Sequence, residues 1–441
     1  MQRSLTSGFF VFNPQRWIGA TLSGHGEAMS VIEKAQPMSA GEPAKALWIS
    51  TVAFTLCFAV WTIFAIIGVR IKQELNLNEA EFGLLIGTPV LTGSLVRIVL
   101  GIWTGRYGGR LVYTLTMLAA AVATFLLSYA HTYTQMLIAG LGVGLAGGSF
   151  AVGVAYVSPF FPAEKQGTAL GIFGAGNVGA AVTKFAAPFV LLAWGWQAVA
   201  EIWAVCLAVM AIVFWFTTTD DPAFRLRRER GAASKSLAQE FAPLQNVQVW
   251  RFSLYYFFAF GGFVALSLWL PRYLVGVYGF NLETAGMIAA AYSIPGSIFR
   301  AFGGVLSDKK GARSVMYAMF AVSAVATLIL SLPAATITPV IFIAVIFVLG
   351  FFMSLGKAAV YKHIPGYYPD SVGAVGGVVG MMGGLGGFIL PIAFGLLKDM
   401  TGLWSSCFLL LFAIVAISLI WMHLSVKQLS RQGHSAPVPA T

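Results

Sequence analysis

Residues 97–110 read Arg97-Ile-Val-Leu-Gly-Ile-Trp-Thr-Gly-Arg-Tyr-Gly-Gly-Arg110, and residues 300–313 read Arg300-Ala-Phe-Gly-Gly-Val-Leu-Ser-Asp-Lys-Lys-Gly-Ala-Arg313. The two stretches share their first and last arginine and two glycines in one register. The glycine-rich stretches 167–188 and 373–391 correspond at the same offset. A parallel repeat of this kind predicts two homologous halves that build one site between them near the middle of a membrane.

The composition places the chain in a membrane. Hydrophobic residues make up 58% of the 441 positions and charged residues only 10%, whereas a soluble domain needs roughly a quarter of its residues charged. Apolar stretches of bilayer-spanning length recur along the chain. We therefore predict an all-α membrane protein with twelve transmembrane helices, numbered spans 1 to 12, at 47–70, 82–104, 111–130, 135–158, 167–192, 197–216, 250–271, 284–306, 315–333, 337–361, 371–396 and 403–423.

The polar segments divide the chain into five parts. We predict a disordered cytoplasmic leader at 1–46, in which Met1 and Met29 are both possible starts, and a cytoplasmic tail at 424–441. Between them lie two pseudo-symmetric six-helix bundles, 47–216 and 250–423, joined by a charged cytoplasmic linker at 217–249.

Lysine and arginine placement predicts the orientation. With both termini in the cytoplasm of a bacterium, most of these cations fall in cytoplasmic segments, and only Arg70, Lys72, Arg272 and Lys398 fall outside. The net charge of +11 then reflects topology in the inner membrane and gives no indication of nucleic-acid binding.

Four further cations, Arg97, Lys184, Arg300 and Lys357, lie inside predicted spans, and no Asp or Glu lies in the middle of any span. A charge at bilayer depth costs at least about 2.5–3.5 kcal/mol and needs a partner. Backbone carbonyls, aromatic faces, water or a bound anion remain as partners. The repeat predicts that Arg97 and Arg300 face each other, and two guanidinium forks suit a small planar oxyanion.

Spans 5 and 11 are rich in glycine, reading GTALGIFGAGNVGAAVTKFAAP at 167–188 and GAVGGVVGMMGGLGGFILP at 373–391. Glycines at this density permit close helix packing, and they need a packing or motional reason because they weaken an isolated helix. Asn177 lies in the middle of span 5. Its amide either contacts the ligand or bonds to a neighbouring helix.

The stretch Gly101–Arg110 resembles the GxxxDRxGRR signature of the major facilitator superfamily, except that Gly105 replaces the usual acid, which the second copy keeps as Asp308. The resemblance implies a conformational gate formed by the signature residues Arg106, Arg110, Asp308 and Arg313. The loss of the first acid puts the usual charge relay of the first half in doubt, but not the fold.

Within that superfamily the chain resembles the nitrate/nitrite porter (NarK-type) family over 47–423, through an arginine in spans 2 and 8, GNxG in span 5 and GGLGGF in span 11. The resemblance implies that Arg97 and Arg300 clamp nitrate, or nitrite, and that Asn177 bonds to it. It also implies, from the aromatic stretch 254–261, that Tyr256 is a donor and that Phe260 packs on the flat anion.

Phe58 in span 1 is a weaker candidate for the opposing ring, and packing alone also explains it and Tyr256. Lys184 and Lys357 resemble residues of the proton-coupled branch of the family, so they predict proton coupling or anion attraction. We therefore predict a monomeric proton–nitrate symporter with no cofactor and no metal.

Three alternatives remain open. The nearest is nitrate/nitrite exchange, and the next is a carrier of another small anion. A membrane sensor or enzyme comes last, because the spans offer neither an output domain nor a nucleophile–base pair.

Overall fold

In lipid every backbone N–H and C=O must find its partner within the protein, so the apolar stretches form helices. The computed structural model describes residues 41–77, 79–230, 239, 242–280, 282–333 and 336–431. Within these residues, eleven helices are long and apolar enough to cross a membrane. A twelfth, Leu282–Lys310, spans 29 residues and coincides with predicted span 8. The predicted twelve-helix membrane fold is confirmed.

Several spans consist of more than one helical segment. Span 1 consists of Glu42–Trp61 and Phe64–Leu75, span 2 of Glu79–Tyr107, span 3 of Gly109–Leu127, and span 4 of Tyr133–Val143 and Leu145–Val157. Span 5 begins with Gln166–Gly174 and Ala175–Val178. The helix Gly179–Thr217 then completes span 5 and forms span 6. The bounds of spans 7 to 12 are Val247–Tyr256 with Phe257–Gly262 and Phe263–Tyr278, Leu282–Lys310, Ala312–Leu330, Pro339–Tyr367, Val372–Thr401 and Ser406–Arg431.

The helix bounds repeat as the sequence does. Spans 2 and 8 each contain 29 residues and spans 3 and 9 each contain 19. A glycine with positive φ joins span 2 to span 3 and another joins span 8 to span 9, with φ of 88° at Gly108 and 82° at Gly311. Only glycine adopts such a turn without strain. The repeat is therefore structural, and we call the end of the protein that carries these two turns the signature end.

Four spans predicted as continuous helices are interrupted. Span 1 breaks at Thr62 and Ile63, span 4 breaks at Gly144, span 5 contains a 3₁₀ segment at Ala175–Val178, and span 7 contains a π-helical segment at Phe257–Gly262. Such irregular turns often accompany functional sites. Spans 5 and 6 also follow each other with only a kink at Gly195, where φ is 85°.

Two pairs of antiparallel helices join the bundles. Span 2 packs along span 11, which we call the first seam, and span 5 packs along span 8, which we call the second seam. At the signature end of the first seam, a Cβ on Gly101 would collide with the carbonyl oxygen of Gly373, and the reverse holds. Glycine is therefore required there for the two backbones to touch.

The linker contains a short helix, Pro222–Glu229, that docks on the signature end. Asp221 caps it by accepting a 2.8 Å hydrogen bond from the Phe224 N–H, and the same carboxylate lies 3.5 Å from the Gly109 N–H. Burial raises the pKa of the Asp221 carboxyl to about 6. The predicted leader falls almost wholly outside the described residues, and so does the tail beyond Arg431.

Candidate substrate-binding site

Arg97 is buried between the two bundles, with 1% of its surface exposed. Its Nε donates a 3.1 Å hydrogen bond to the carbonyl of Gly147 in span 4, and its Nη1 donates a 2.6 Å bond to the carbonyl of Gly380 in span 11. The guanidinium carbon lies 5.6 Å from the centre of the Phe260 ring. Backbone carbonyls and aromatic faces, two of the kinds of partner expected from the sequence, thus stabilise the charge of Arg97.

Arg300 is equally buried, with 1% exposed, but it is less well satisfied. Its Nε and Nη1 have no hydrogen-bond partner among the described residues. The guanidinium carbon lies 4.8 Å from the centre of the Phe150 ring, and that of Arg97 lies 5.7 Å from the same centre. The repeat prediction therefore holds geometrically, because the two equivalent arginines converge on one side chain in the middle of the protein.

Aromatic rings from both bundles form the walls around the two arginines. Tyr256 stacks on Phe260 with ring centres 5.2 Å apart and planes 9° apart. Tyr256 also meets Tyr361 edge-on at 4.7 Å, and Phe150 meets Tyr361 at 4.9 Å. The Tyr361 hydroxyl donates a 2.9 Å hydrogen bond to the Gly376 carbonyl. Tyr361 is therefore fixed in place, and it holds the other rings.

Two uncharged polar side chains near this cluster also lack partners. Asn177 is buried, with only 4% of its surface exposed, yet neither the nitrogen nor the oxygen of its amide has a hydrogen bond to a described residue. The buried Tyr256 hydroxyl likewise lacks a hydrogen bond of normal geometry, and both arginines act on it electrostatically, Arg300 from close range. Leaving a buried polar group unbonded costs about 1–3 kcal/mol. A polar ligand would offset that cost.

Glycines of the glycine-rich spans 5 and 11 make room for these side chains. A Cβ on Gly174 would collide with the Arg300 guanidinium, one on Gly380 would crowd the Tyr361 hydroxyl, and one on Gly383 would collide with the Tyr256 ring. From the sequence alone, the high density of glycines could be explained by close packing of helices in general. At these three positions glycine is a condition for placing the arginine and the two tyrosines.

Neither arginine is neutralised by a carboxylate in the part of the chain that the structure describes. The ion pairs found there include those of Arg70 with Glu74, Lys362 with Asp308, and Lys398 with Asp399. All of these pairs lie towards the ends of their helices. The middle of the protein consequently has an excess of positive charge in a low-dielectric setting, which favours an anion.

The two predicted lysines differ from each other. Lys357 is fully buried; its Nζ donates a 2.7 Å hydrogen bond to the Gly296 carbonyl and lies 3.5 Å from the centre of the Phe263 ring. Gly296 is one helical turn before Arg300, which acts electrostatically on Lys357. Lys184 is partly exposed and lies beyond the 3₁₀ segment of span 5. Only Lys357 is close to the arginine cluster.

Phe58 lies one ring away from Arg97, and its role against the anion stays a prediction. Its ring contacts Phe54 and Trp61, at 5.7 and 5.1 Å between centres. Of these rings, the Trp61 ring lies 5.7 Å from the Arg97 guanidinium carbon. The ring that lies beside both arginines is Phe150, which sequence reasoning missed, as it missed Tyr361. Flanking glycines at Gly147 and Gly148 were the available signal for Phe150.

Comparison with known proteins agrees with this architecture. The Major Facilitator Superfamily model matches residues 49–287 and 281–440. The "Probable nitrate/nitrite antiporter NarK1" of Thermus thermophilus is 42% identical over 429 residues, which cover 91% of this chain and 95% of the relative. The chain belongs to the NarK-type porter family of the Major Facilitator Superfamily. The predicted family is confirmed, and this NarK-type porter is a transporter and not an enzyme.

Two further similarities bear on the porter. The "Nitrite extrusion protein" of Bacillus subtilis (strain 168) is 31% identical over 369 residues, covering 83% of this porter and 91% of the relative. Among solved structures, the human organic anion transporter MFSD10 (TETRAN) superposes with a TM-score of 0.72 at 14% identity, covering 88% of the porter and 100% of that chain. At that identity the likeness concerns the fold alone.

At the signature end of the porter, one of the four residues predicted to form a gate, Asp308, joins the two bundles. Its carboxylate accepts hydrogen bonds from the Gly167 N–H at 3.0 Å, from the Thr168 N–H at 2.5 Å and from the Thr168 hydroxyl at 2.6 Å. Lys362 pairs with the same carboxylate at 2.5 Å and donates to the Ala163 carbonyl. We call these five residues the latch, because they join the two bundles.

The other three predicted gating residues have separate environments. Arg110 donates two hydrogen bonds, 3.0 and 2.5 Å, to the carbonyl of Trp215, and its guanidinium lies 4.3 Å from the centre of that ring. Arg106 ends span 2, and Arg313 lies in the first turn of span 9. The structure therefore joins Asp308 to the inter-bundle contact, while Arg110 binds within its own bundle.

Proposed function

We propose that this porter carries nitrate or nitrite across the inner membrane of a bacterium by alternating access, with Arg97 and Arg300 clamping the anion. The observation that carries the proposal is the convergence of these equivalent guanidiniums on Phe150 without a carboxylate between them. A planar oxyanion accepts parallel hydrogen bonds from such forks.

The unpaired donors define how the anion would be held. Arg300 has two guanidinium nitrogens without partners, and the Asn177 amide and the Tyr256 hydroxyl supply further donors. Phe150 and Phe260 lie beside the guanidiniums and present flat apolar surfaces to a flat anion. Because a single chain contributes all of these groups, a monomer is sufficient for transport.

The two seams indicate how access would alternate. The second seam is tight from the latch to Arg300, but span 8 hardly touches the helix that follows the 3₁₀ segment of span 5. Lys184 lies in that helix, beyond Asn177 and away from the signature end. With the signature end in the cytoplasm, Lys184 would attract anions towards the site from outside, and opening of the latch would release them inside.

Uptake of nitrate needs a driving force. An interior-negative potential opposes the entry of an anion by about 2.3 kcal/mol per charge per 100 mV, and nitrate does not carry a proton itself. Net inward movement therefore requires co-transported protons, more than one per nitrate if the membrane potential is to drive uptake, or exchange against an internal anion. Lys357 of span 10 suits the role of proton carrier, because it binds the Gly296 carbonyl of span 8, one helical turn before Arg300. An anion bound at Arg300 would favour the charged form of this lysine.

The test uses purified porter in liposomes, with nitrate uptake measured under an imposed pH gradient and, separately, against trapped nitrite. Proton-coupled symport predicts uptake driven by the pH gradient in the absence of internal anion. Uptake that requires trapped nitrite and ignores the pH gradient would establish exchange, which the name of the Thermus thermophilus relative favours. Absence of transport for both anions would contradict the proposal as a whole.

Lys357→Gln and Lys184→Gln separate coupling from attraction. If Lys357 carries the proton, its Gln variant should lose uptake driven by a pH gradient yet retain counterflow of labelled against unlabelled nitrate. Lys184→Gln removes the same charge farther from the cluster and should weaken both activities together through slower anion arrival. Full gradient-driven uptake in both variants would refute the lysine mechanism.

A further inference from the structure

The last arginine of the signature is used differently in the two halves. In the first half, the Trp215 carbonyl and ring satisfy Arg110. In the second half, Arg313 has no hydrogen bond or ion pair to any described residue, and it lines a cavity at the signature end. The repeat therefore presents a filled arginine pocket in one bundle and an unfilled one in the other.

The cavity lies among spans 7, 9, 10 and 12 and has a volume of about 30 Å³. Its polar lining consists of Gln248, Tyr255, Arg313, His363, Tyr367 and Ser425. That volume is enough for one or two small polar atoms or waters. A larger group would have to place only its oxygens inside and leave the remainder at the mouth.

The polar lining is rich in donors and free of acid. His363 stacks flat on Phe252, with ring centres 5.4 Å apart and planes 4° apart, and both Arg313 and Lys362 act electrostatically on it. Gln248 accepts a 3.1 Å hydrogen bond from Arg251 through its oxygen, so its amide nitrogen remains as a donor. No carboxylate lines the cavity among the described residues.

The surroundings match the interface of a membrane. Arg251 lies on the face of the Trp421 ring at 5.8 Å, and the neighbouring Trp250 is 46% exposed while its indole N–H donates to the Leu244 carbonyl. Tryptophans with an anchored polar edge mark the headgroup level of a bilayer. Basic pockets between spans on the cytoplasmic side commonly bind anionic headgroups.

We propose that this cavity, with Arg313 and His363 as its principal donors, binds a tetrahedral phosphate-type oxyanion. The phosphodiester of an anionic lipid headgroup and free inorganic phosphate share this chemistry. The site is separate from the Arg97–Arg300 clamp, because it lies within the second bundle at the signature end. Its occupant would brace spans 7, 9, 10 and 12 against one another.

The experiment measures thermal unfolding of the intact purified porter in three conditions: phosphatidylcholine alone, phosphatidylcholine with phosphatidylglycerol, and phosphatidylcholine with inorganic phosphate at matched ionic strength. Arg313→Gln and His363→Gln remove the principal donors, and Lys310→Gln removes an exposed cation nearby as the matched control. Native mass spectrometry counts bound phosphatidylglycerol in each variant.

We expect phosphatidylglycerol to stabilise the unmodified porter and Lys310→Gln equally, and Arg313→Gln to bind it roughly fivefold more weakly, the effect of one cation near an anionic headgroup. Stabilisation by inorganic phosphate with the same dependence on Arg313 would support the site and identify the soluble source. Equal stabilisation of all variants, or of none, would overturn the proposal. His363→Gln keeps the test decisive if Arg313→Gln does not fold.

Discussion

The two seams between the bundles occupy equivalent places in the repeat, yet they are built differently. The first seam is a run of glycine contacts from Gly101 and Gly373 at the signature end to Gly87 against the Phe388 ring beyond the site. The second seam ends near the 3₁₀ segment of span 5, and the latch around Asp308 closes its signature end. Both seams have touching backbones at the signature end, since a Cβ on Gly304 would collide with the Gly167 carbonyl oxygen in the second seam. The second seam adds a charged cluster there, and the first continues as glycine contacts along its length.

The comparison shows what the remaining acid of the signature adds to its seam. Gly105 stands where the second copy has Asp308, and the touching backbones at Gly101 and Gly373 already bring the helices together. The second seam has the same kind of backbone contact, between Gly304 and Gly167, and it keeps its carboxylate as well, so steric closure alone does not account for the difference. A seam that has to separate needs a contact that can be broken and remade, and charge-assisted hydrogen bonds suit that requirement.

The largest effect is expected at the arginines, one on each seam. Arg97→Lys and Arg300→Lys keep the charge but lose the fork, so two charge-assisted hydrogen bonds to the anion cannot form together. We expect nitrate affinity to fall by roughly a hundredfold or more in each variant. Binding to the purified proteins measures this, with thermal unfolding to verify folding. An unchanged affinity in either variant would remove that arginine from the site.

The next effect concerns the latch. Asp308→Asn removes the charge that Thr168 binds across the second seam and that Lys362 binds within the second bundle. Losing a charge-assisted bond worth about 2 kcal/mol would shift the closed–open equilibrium of the signature end by roughly thirtyfold. Crosslinking of cysteines introduced on either side of the second seam reports the shift, and a pair across the first seam serves as the control. If both pairs respond alike, the seams are not independent.

A smaller effect is expected for Asn177, at the point where the second seam ends. If its amide bonds to the anion, Asn177→Ala should weaken nitrate binding by about fivefold to tenfold and leave thermal stability nearly unchanged, since the amide has no protein partner to lose. Binding and unfolding are measured on one preparation. A sharp loss of stability with unchanged affinity would favour the helix-packing alternative.

The smallest effect should come from restoring the missing acid. Gly105→Asp gives the first seam the residue that the second seam has, yet Asp370 already lies in the turn Pro369–Ser371 that precedes span 11. We expect at most about a twofold change in transport, because like charges at an exposed helix end interact weakly. A gain as large as the loss in Asp308→Asn would show that the two seams are interchangeable.

Sequence reasoning singled out the residues whose chemistry is rare in a membrane. Arg97, Arg300 and Asn177 are polar residues in apolar spans, so each one demands an explanation, and the repeat links the two arginines. Phe150 and Tyr361 escaped notice because an aromatic side chain in an apolar span is ordinary, and only packing shows which ring lies inside. Phe58 was the weaker candidate for the opposing ring, and its ring contacts Phe54 and Trp61.

The helix interruptions could not be predicted either. A π-helical segment at Phe257–Gly262 and a 3₁₀ segment at Ala175–Val178 depend on contacts with other spans, such as Gly261 against Gly386 and Gly176 against Phe54. Local sequence favours a regular helix in both places. Tertiary packing overrides that preference close to the site, where it orients Tyr256 and Asn177.

The contact between the glycine backbones of the first seam also bears on proton leakage across the membrane. Where the backbones of Gly101 and Gly373 meet, there is no room for even one carbon atom between them, so a chain of water molecules cannot pass along that line. A porter that moves anions against a membrane potential must not let protons leak back beside them. Gly373→Ala would pry this contact apart, and the passive proton conductance of liposomes containing it, without nitrate, should exceed that of the unmodified porter.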